Sequence, residues 1–293
     1  MSERHNRRAE LLLLAVMTIW AANAPFAKLG LARLDVLVFN GVRYLVAFSV
    51  LIVILRSRTE WIPIAREDRW PLLRLGLIAS ILYQLVYIFG LRYTTAGNSA
   101  VLLTTAPLWT AVIGARMHRE RIRWRTWGGM TLALAGIALI VTGSGAVIEF
   151  GGEAVVGDLL SLGAAFLWAL NANLQKPLLT RYPALQLTVV TIGIGAIGLT
   201  LVAIPPALRI DWPAVDPTGF VIAIVSGALS IGVGNVLWSY GVKRLGPGRT
   251  ASFNNLVPVL TFAIAYAVFG EPVHAQQIVG AAMTISGVWW ARG

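Results

Sequence analysis

The stretch WAANAPFAK at residues 20–28 recurs as WALNANLQK at residues 168–176, so a shift of 148 residues superimposes the Trp, Asn and Lys positions. A second shift, of 151 residues, superimposes residues 90–136 on residues 241–287 without a gap. Self-similarity at this spacing indicates a chain of two repeats. The identities under the second shift include Gly90/Gly241, Pro107/Pro258, Glu120/Glu271, Gly129/Gly280 and Gly136/Gly287.

The composition of the chain is that of a membrane protein. Its 293 residues are 57% hydrophobic and 13% charged, with a mean hydropathy of +0.73. A soluble domain of this length could not bury so much apolar surface, so we expect lipid to be the solvent. The formal net charge of +11 then indicates basic cytoplasmic loops rather than a nucleic-acid partner. The sequence contains no cysteine, which excludes disulfides and cysteine-based metal sites.

Ten apolar runs approach the roughly 20 residues that are needed to cross a bilayer core of about 30 Å. The first run follows three arginines and resembles a signal peptide, but its spanning length predicts a retained helix. Short connections between the runs make successive helices antiparallel. The predicted spans are Leu11–Leu31, Val36–Leu55, Pro71–Leu91, Ala96–Arg116, Thr126–Thr142, Gly157–Lys176, Leu185–Ile204, Thr218–Gly241, Pro247–Phe269 and His274–Trp290.

Lysine and arginine residues determine the expected orientation of these spans. If the N-terminus is cytoplasmic, the cytoplasmic segments hold 18 Lys and Arg residues and the external loops hold three. Both termini are then cytoplasmic, and five helices per repeat make the second repeat enter the membrane from the opposite face. We expect a first repeat over residues 1–143, an external linker over 144–156 and a second repeat over 157–293.

The repeated motifs resemble a known family of transporters. The Trp-Ala-x-Asn-Ala motif of each half, with the later spacing of Gly90, Pro107 and Glu120, is similar to the EamA-type branch of the drug/metabolite transporter superfamily. The resemblance implies an all-α polytopic membrane protein, with ten transmembrane helices in two inverted five-helix repeats around a central cavity. Helices 1, 3, 4, 6, 8 and 9 would surround that cavity. The branch includes exporters of amino acids and other small metabolites in the bacterial inner membrane.

Polar and aromatic residues deep in the spans form the candidate substrate site, because lipid-embedded polar groups need an internal partner or a wet cavity. Amides suit the two ends of a zwitterion, and aromatic walls suit a bulky apolar side chain. Tyr83 and Tyr87 are four residues apart and should share a helix face. The alternative interpretations are hydrogen bonding between helices for the amides and simple packing for the tryptophans. The predicted substrate-binding residues are Trp20, Asn23, Tyr83, Gln84, Tyr87, Trp168, Asn171, Asn235, Trp238, Asn254 and Asn255.

Two prolines lie inside predicted helices 4 and 9. Pro107 and Pro258 each remove a backbone hydrogen bond and free a carbonyl group, that of Leu103 or Asn254, for a substrate. A static kink and a hinge are the alternatives. Trp109, just after the first proline, is either a gate or a lipid-facing residue. The predicted hinge or gate residues are therefore Pro107, Trp109 and Pro258.

Charged residues inside the spans are few. Arg43 either holds a carboxylate or bonds within the helix packing, and the peripheral place of helix 2 in the family favours the second interpretation. Lys28 and Lys176 sit at helix ends, where their side chains are expected to reach the interface. All 13 acidic residues lie in loops or at helix ends. Because proton-coupled carriers usually keep a titratable group at mid-depth, we expect transport without a central proton-coupling carboxylate.

The sequence therefore predicts a carrier that exports small zwitterions by alternating access. The favoured cargo is an amino acid with an aromatic or other bulky neutral side chain, and no catalytic residue, metal or cofactor is expected. The alternatives are a general exporter of drugs or metabolites and a sugar-phosphate or nucleotide-sugar exchanger, which would need several central cations. A non-transporting membrane scaffold is the alternative from another class of protein.

Overall fold

The chain folds as a bundle of helical rods, three of which are built from consecutive segments. This computed structural model describes residues 2–58, 61–93, 99, 102–119, 123–143, 153–269 and 274–292, and the regular structure within them is entirely helical. Helices α3, α8 and α9 each consist of three consecutive segments, and the range given for each runs from the first residue of its first segment to the last residue of its last segment. The rods are α1 Ser2–Leu31, α2 Val36–Arg58, α3 Arg69–Tyr93, α4 Ala106–His118, α5 Trp124–Gly143, α6 Glu153–Arg181, α7 Ala184–Ala207, α8 Pro217–Leu245, α9 Pro247–Phe269 and α10 Ala275–Arg292.

The all-helical membrane fold predicted from the sequence is confirmed. Within the described residues, α2, α3, α6, α7 and α8 are long and apolar enough to span a membrane by length and composition. Every predicted span overlaps one of the rods, although the fourth begins among residues 96–101, of which only residue 99 is described. Residues 144–152 of the expected linker lie outside the described residues, and its last four residues belong to α6, which begins at Glu153.

Helices α3 and α8 are interrupted at corresponding places by π-helical turns. The turns cover Leu77–Leu82 in α3 and Gly227–Val233 in α8. A π-turn contains one residue more than an α-helical turn, and such turns occur frequently at functional sites. Both turns end immediately before the candidate residues that the sequence places in these helices. The two repeats therefore share an irregularity of the backbone as well as a sequence motif.

Helices α5 and α10 pack in an antiparallel pair along a seam of glycines. Gly136 lies against the Gly280 carbonyl, and a Cβ atom on Gly129 would lie 2.5 Å from the Gly287 carbonyl oxygen. Gly280 and Gly287 are the repeat counterparts of Gly129 and Gly136, so each glycine contacts the counterpart of the other. This reciprocity is the signature of two-fold symmetry. An axis that relates two antiparallel helices runs across them, which is the geometry of inverted repeats.

Two ion pairs obey the same symmetry. Arg33 Nε lies 2.7 Å from Asp216 Oδ2 and joins the end of α1 to the start of α8. Arg181 Nη1 lies 2.8 Å from Asp68 Oδ1 and joins the end of α6 to the start of α3. A shift of 148 residues converts each pair into the other. Hydrogen bonds from Thr218 above all, and then the Arg33 guanidinium, hold the pKa of Asp216 below its ordinary value.

Candidate substrate site

Three tryptophans meet between the repeats and contact one another as a closed triangle. The ring centroids of Trp20 and Trp168 are 5.4 Å apart, those of Trp20 and Trp238 are 5.6 Å apart, and those of Trp168 and Trp238 are 5.2 Å apart. Tyr83 continues the cluster, with its ring 5.2 Å from Trp168, and stacks on Tyr87 at 6.0 Å. The expected shared face of the two tyrosines is confirmed. These five residues, from α1, α3, α6 and α8, are called the aromatic cluster below.

The indole N–H groups of the aromatic cluster have unequal surroundings. Trp20 Nε1 donates a hydrogen bond of 3.1 Å to the carbonyl oxygen of Ser230, inside the π-turn of α8. The Nε1 atoms of Trp168 and Trp238 are buried and have no hydrogen-bond partner among the described residues. Trp238 is only 1% exposed. A buried donor without a partner costs free energy, so these two N–H groups are suited to an acceptor that arrives with a ligand.

Helix α9 is broken where two asparagines lie side by side. Its first segment, Pro247–Ser252, is followed by a 3-10 turn, Phe253–Asn255, before the helix resumes at Leu256–Phe269. The Oδ1 atoms of Asn254 and Asn255 are buried without a hydrogen-bond partner among the described residues. Carboxamide oxygens accept hydrogen bonds. The break therefore presents two buried side-chain acceptors. The predicted role of Asn254 and Asn255 in substrate binding stays a prediction.

The prediction that Pro107 and Pro258 lie in the interior of helices 4 and 9 is wrong, because each proline lies in the first turn of a helical segment. Pro107 is the second residue of α4, and the Thr105 hydroxyl before it donates to the Leu102 carbonyl oxygen at 2.6 Å. Pro258 is the third residue of the segment that follows the 3-10 turn of α9. The first turn of a helix tolerates proline because its N–H groups have no partner within the helix. Each proline therefore restarts a helix after a break.

The two carboxamides that the repeat pairs in α3 and α8 do not bond within the aromatic cluster. Gln84 is buried and its Nε2 donates a 2.8 Å hydrogen bond to Asn40 Oδ1 of α2. Asn235 Nδ2 donates a 2.8 Å hydrogen bond to the carbonyl oxygen of Ile231 on its own helix. Hydrogen bonding between helices, the alternative interpretation of these amides, therefore describes the contact of Gln84, whereas Asn235 bonds within its own helix. On α1 and α6, Asn23 is half-buried and Asn171 is buried, each three residues beyond its tryptophan.

Arg43 lies in the same polar group as Gln84. Its Nη1 donates a 3.1 Å hydrogen bond to Asn40 Oδ1, and its guanidinium carbon lies 5.4 Å from the centroid of the Phe39 ring. The hydrogen bond within the helix packing that the favoured interpretation expects is therefore present. Its Nε atom is buried without a partner among the described residues. The side chain of Lys28 is not among those that the structure describes. The side chain of Lys176 is half-buried and is not without a partner. Whether these lysines reach the interface stays a prediction.

Contacts between α4 and α6 involve Trp109, which the sequence singled out, and other residues that sequence reasoning missed. Trp109 is half-buried and its ring meets that of Phe166 edge-on at 5.6 Å. Asn173 Nδ2 donates to the Thr110 carbonyl oxygen at 3.2 Å, and His118 Nε2 lies 3.2 Å from the Asn173 carbonyl oxygen. The second asparagine of the motif WALNAN was the available signal. It fixes α4 against the helix that carries Trp168.

The fold and this site define a class of protein: a multi-pass membrane protein whose two symmetric halves share one aromatic centre. A single sequence profile matches the chain twice, over residues 7–142 and again over residues 155–292. The chain belongs to the EamA-like transporter family.

Relatives of known sequence share almost the whole length of the chain. An uncharacterized transporter of Archaeoglobus fulgidus is 28% identical, with 97% of each chain covered. A probable terminal-alkyne amino-acid exporter of Streptantibioticus cattleyicolor is 27% identical, over 94% of this chain and 90% of its own. A probable amino-acid metabolite efflux pump of Salmonella typhimurium is 25% identical, over 97% and 94%. A crystal structure with 19% identity superimposes with a TM-score of 0.80 over 97% of this chain and 98% of its own, which shows a common fold.

Proposed function

We propose that this transporter exports amino acids with aromatic or other bulky neutral side chains, by alternating access. The observation that carries the proposal is the aromatic cluster, to which helices of both repeats contribute. Aromatic faces bind a bulky apolar or aromatic side chain well. Two relatives whose names refer to amino-acid export support this choice of cargo.

Buried polar atoms of α6, α8 and α9 match the two ends of a zwitterion in chemical kind. The buried indole N–H groups of Trp168 and Trp238 are donors for a carboxylate, and the Oδ1 atoms of Asn254 and Asn255 are acceptors for an ammonium group. In this conformation the three indoles contact one another, so cargo would have to separate them. Separation on one side of the triangle, followed by separation on the other, is the alternating access that we propose.

The carrier is proposed to work without proton coupling through a central carboxylate. Four described carboxylates form ion pairs, and all four lie outside the predicted spans. Asp68 and Glu67 meet Arg181, Asp216 meets Arg33, and Glu10 lies 2.6 Å from Arg249. We expect flux of phenylalanine in proteoliposomes to follow the concentration gradient of phenylalanine, with or without an imposed pH gradient. Accumulation of phenylalanine against its own gradient, driven by protons, would refute this part of the proposal.

The proposed site is tested by removing rings from the aromatic cluster. We expect Trp238→Ala and Tyr87→Ala each to lower phenylalanine flux in proteoliposomes by up to about tenfold, because an aromatic contact contributes about 0.5–1.5 kcal/mol beyond its buried area. The matched control is Trp289→Ala, because Trp289 is 76% exposed and lies on α10, away from the cluster. Size-exclusion chromatography checks that each variant is folded. Full flux in both cluster variants would place the cargo elsewhere.

The orientation in the cell is also a proposal. The excess of Lys and Arg in alternate loops supports an inner-membrane protein with both termini in the cytoplasm. With that orientation, the Arg33–Asp216 pair faces the outside and the Arg181–Asp68 pair faces the cytoplasm. The proposed boundaries of the repeats remain 1–143 and 157–293.

A further inference from the structure

Arg43 is a charge that the helix packing does not balance. The residue is 9% exposed, and its side chain makes one hydrogen bond among the described residues, to Asn40. Within the described part of the chain, no Asp or Glu forms an ion pair with it. A buried charge without a counter-charge is costly, and intramembrane cations are rare outside functional sites. The presence of this guanidinium therefore needs a reason beyond the hydrogen bond to Asn40.

The symmetry-related place in the other repeat shows that packing alone needs no charge. A shift of 148 residues superimposes Asn40 on Thr188 and Arg43 on Thr191. Thr188 Oγ1 donates a 3.2 Å hydrogen bond to the Ser239 hydroxyl of α8, and Thr191 Oγ1 bonds to the Leu187 carbonyl oxygen at 3.2 Å. Neutral hydroxyl groups therefore hold α7 against α8. The corresponding contact between α2 and α3 contains the guanidinium of Arg43, although its counterpart in the other repeat is held without a charge.

Arg43 also lies beside the aromatic cluster. Through Asn40 it is joined to α3, the helix that carries Tyr83 and Tyr87. Gln84, which follows Tyr83 directly, donates to the same Asn40 oxygen that Arg43 uses. The chain Arg43–Asn40–Gln84 thus fixes one edge of the guanidinium and leaves the buried Nε free of protein partners among the described residues. A guanidinium held in this way is ready to donate to an oxyanion.

We infer that Arg43 binds the carboxylate of the cargo and that Asn40 and Gln84 position it. This inference rests on the proposed function and adds a chemical requirement to it: the cargo carries one carboxylate. Nη1 stays bonded to Asn40 while Nε donates to the carboxylate oxygen, and the cargo supplies the missing counter-charge. The single guanidinium matches one negative charge, whereas a phosphate ester would bring two.

The test compares phenylalanine with phenylalanine amide, which keeps the ring and the ammonium group but lacks the carboxylate. Flux of each compound is measured in proteoliposomes. We expect the flux of phenylalanine to exceed that of phenylalanine amide by about tenfold or more in the wild-type protein. A hydrogen bond to a charged group stabilises a complex enough to account for a ratio of this size. Arg43→Gln should reduce the preference to about one. The matched control is Arg33→Gln, at the exposed end of α1, which should keep the preference.

A second variant keeps the test decisive if Arg43→Gln fails to fold. Asn40→Asp preserves the oxygen that accepts from Arg43 and Gln84, and it places a carboxylate next to the guanidinium. The internal counter-charge should abolish the preference for phenylalanine while the protein remains folded. Wild-type protein that moves neither compound would overturn the proposed function and this inference with it. Equal flux of both compounds in the wild type, or an unchanged preference in Asn40→Asp, would overturn this inference alone.

Discussion

At the scale of single residues, the indole N–H groups separate stability from transport. Trp20→Phe removes the hydrogen bond to the Ser230 carbonyl, whereas Trp238→Phe removes an N–H group that has no partner among the described residues. We expect Trp20→Phe to lower the free energy of unfolding by about 1 kcal/mol and Trp238→Phe to leave it unchanged or slightly higher. Thermal unfolding of the purified protein in detergent measures both changes.

The same two variants should show the opposite order in transport, because the Trp238 N–H is proposed to donate to the cargo. Trp238→Phe should lower phenylalanine flux more than Trp20→Phe does. Trp289→Phe, on the exposed face of α10, gives the baseline for both assays. A loss of stability in Trp238→Phe as large as that in Trp20→Phe would show that the second indole has a partner in the folded protein.

Some residues of the candidate site could be predicted from the sequence and others could not. The chemistry of their side chains explains the difference between the two groups. The repeat shift identified Trp20, Trp168 and Trp238, because a large ring deep in a bundle must contact whatever is nearest. The partner of Gln84 could not be predicted, because an amide bonds equally well to a neighbouring helix or to a ligand. Asn40, on a helix that seemed peripheral, was therefore missed as the centre of a polar group.

At the scale of elements, the π-turns explain why face assignments along α3 and α8 are difficult. The offset between the repeats is 148 residues at Asp68 and Asp216, which precede these helices, and 151 residues at Tyr83 and Gly234, which follow the π-turns. A projection at 3.6 residues per turn loses its register at such a point. Of the three additional residues in α8, one lies in its π-turn, which has seven residues against six in α3, and two lie in the α-helical segment before the turn, which has ten residues against eight. The change of offset was visible in the sequence, but the π-helical conformation was not.

The glycine seam between α5 and α10 provides the prediction at this scale. A Cβ atom on Gly136 would meet the Gly280 carbonyl oxygen and lie 2.5 Å from Thr284 Oγ1. Since the first of these is backbone, Gly136→Ala should force the helices apart and lower the free energy of unfolding by about 1–3 kcal/mol. Gly248→Ala is the control, because a Cβ atom there meets nothing within 4 Å. Equal thermal stability of the two variants would show that the seam can open without cost.

At the scale of the whole molecule, the symmetric ion pairs are formed together in one conformation. One pair joins α1 to α8 and the other joins α6 to α3, at opposite ends of these helices. We interpret each pair as holding together the two helices of one moving unit, α1 with α8 and α3 with α6. The contacts between those units include Trp20–Trp168 and Trp168–Trp238. In this interpretation, the aromatic cluster lies between the two units, where relative motion would open a path for cargo.

The inverted arrangement of the repeats predicts opposite labelling of equivalent positions. Trp61, between α2 and α3, and Arg209, between α7 and α8, are exposed and are related by the shift of 148 residues. Because the chain has no cysteine, Trp61→Cys and Arg209→Cys each introduce a single thiol without background. We expect a membrane-impermeant maleimide to label Arg209→Cys in intact cells and Trp61→Cys only after the membrane is permeabilised. Labelling of both from the same side would mean that the repeats are parallel, and a site shared by two inverted halves would then have no basis.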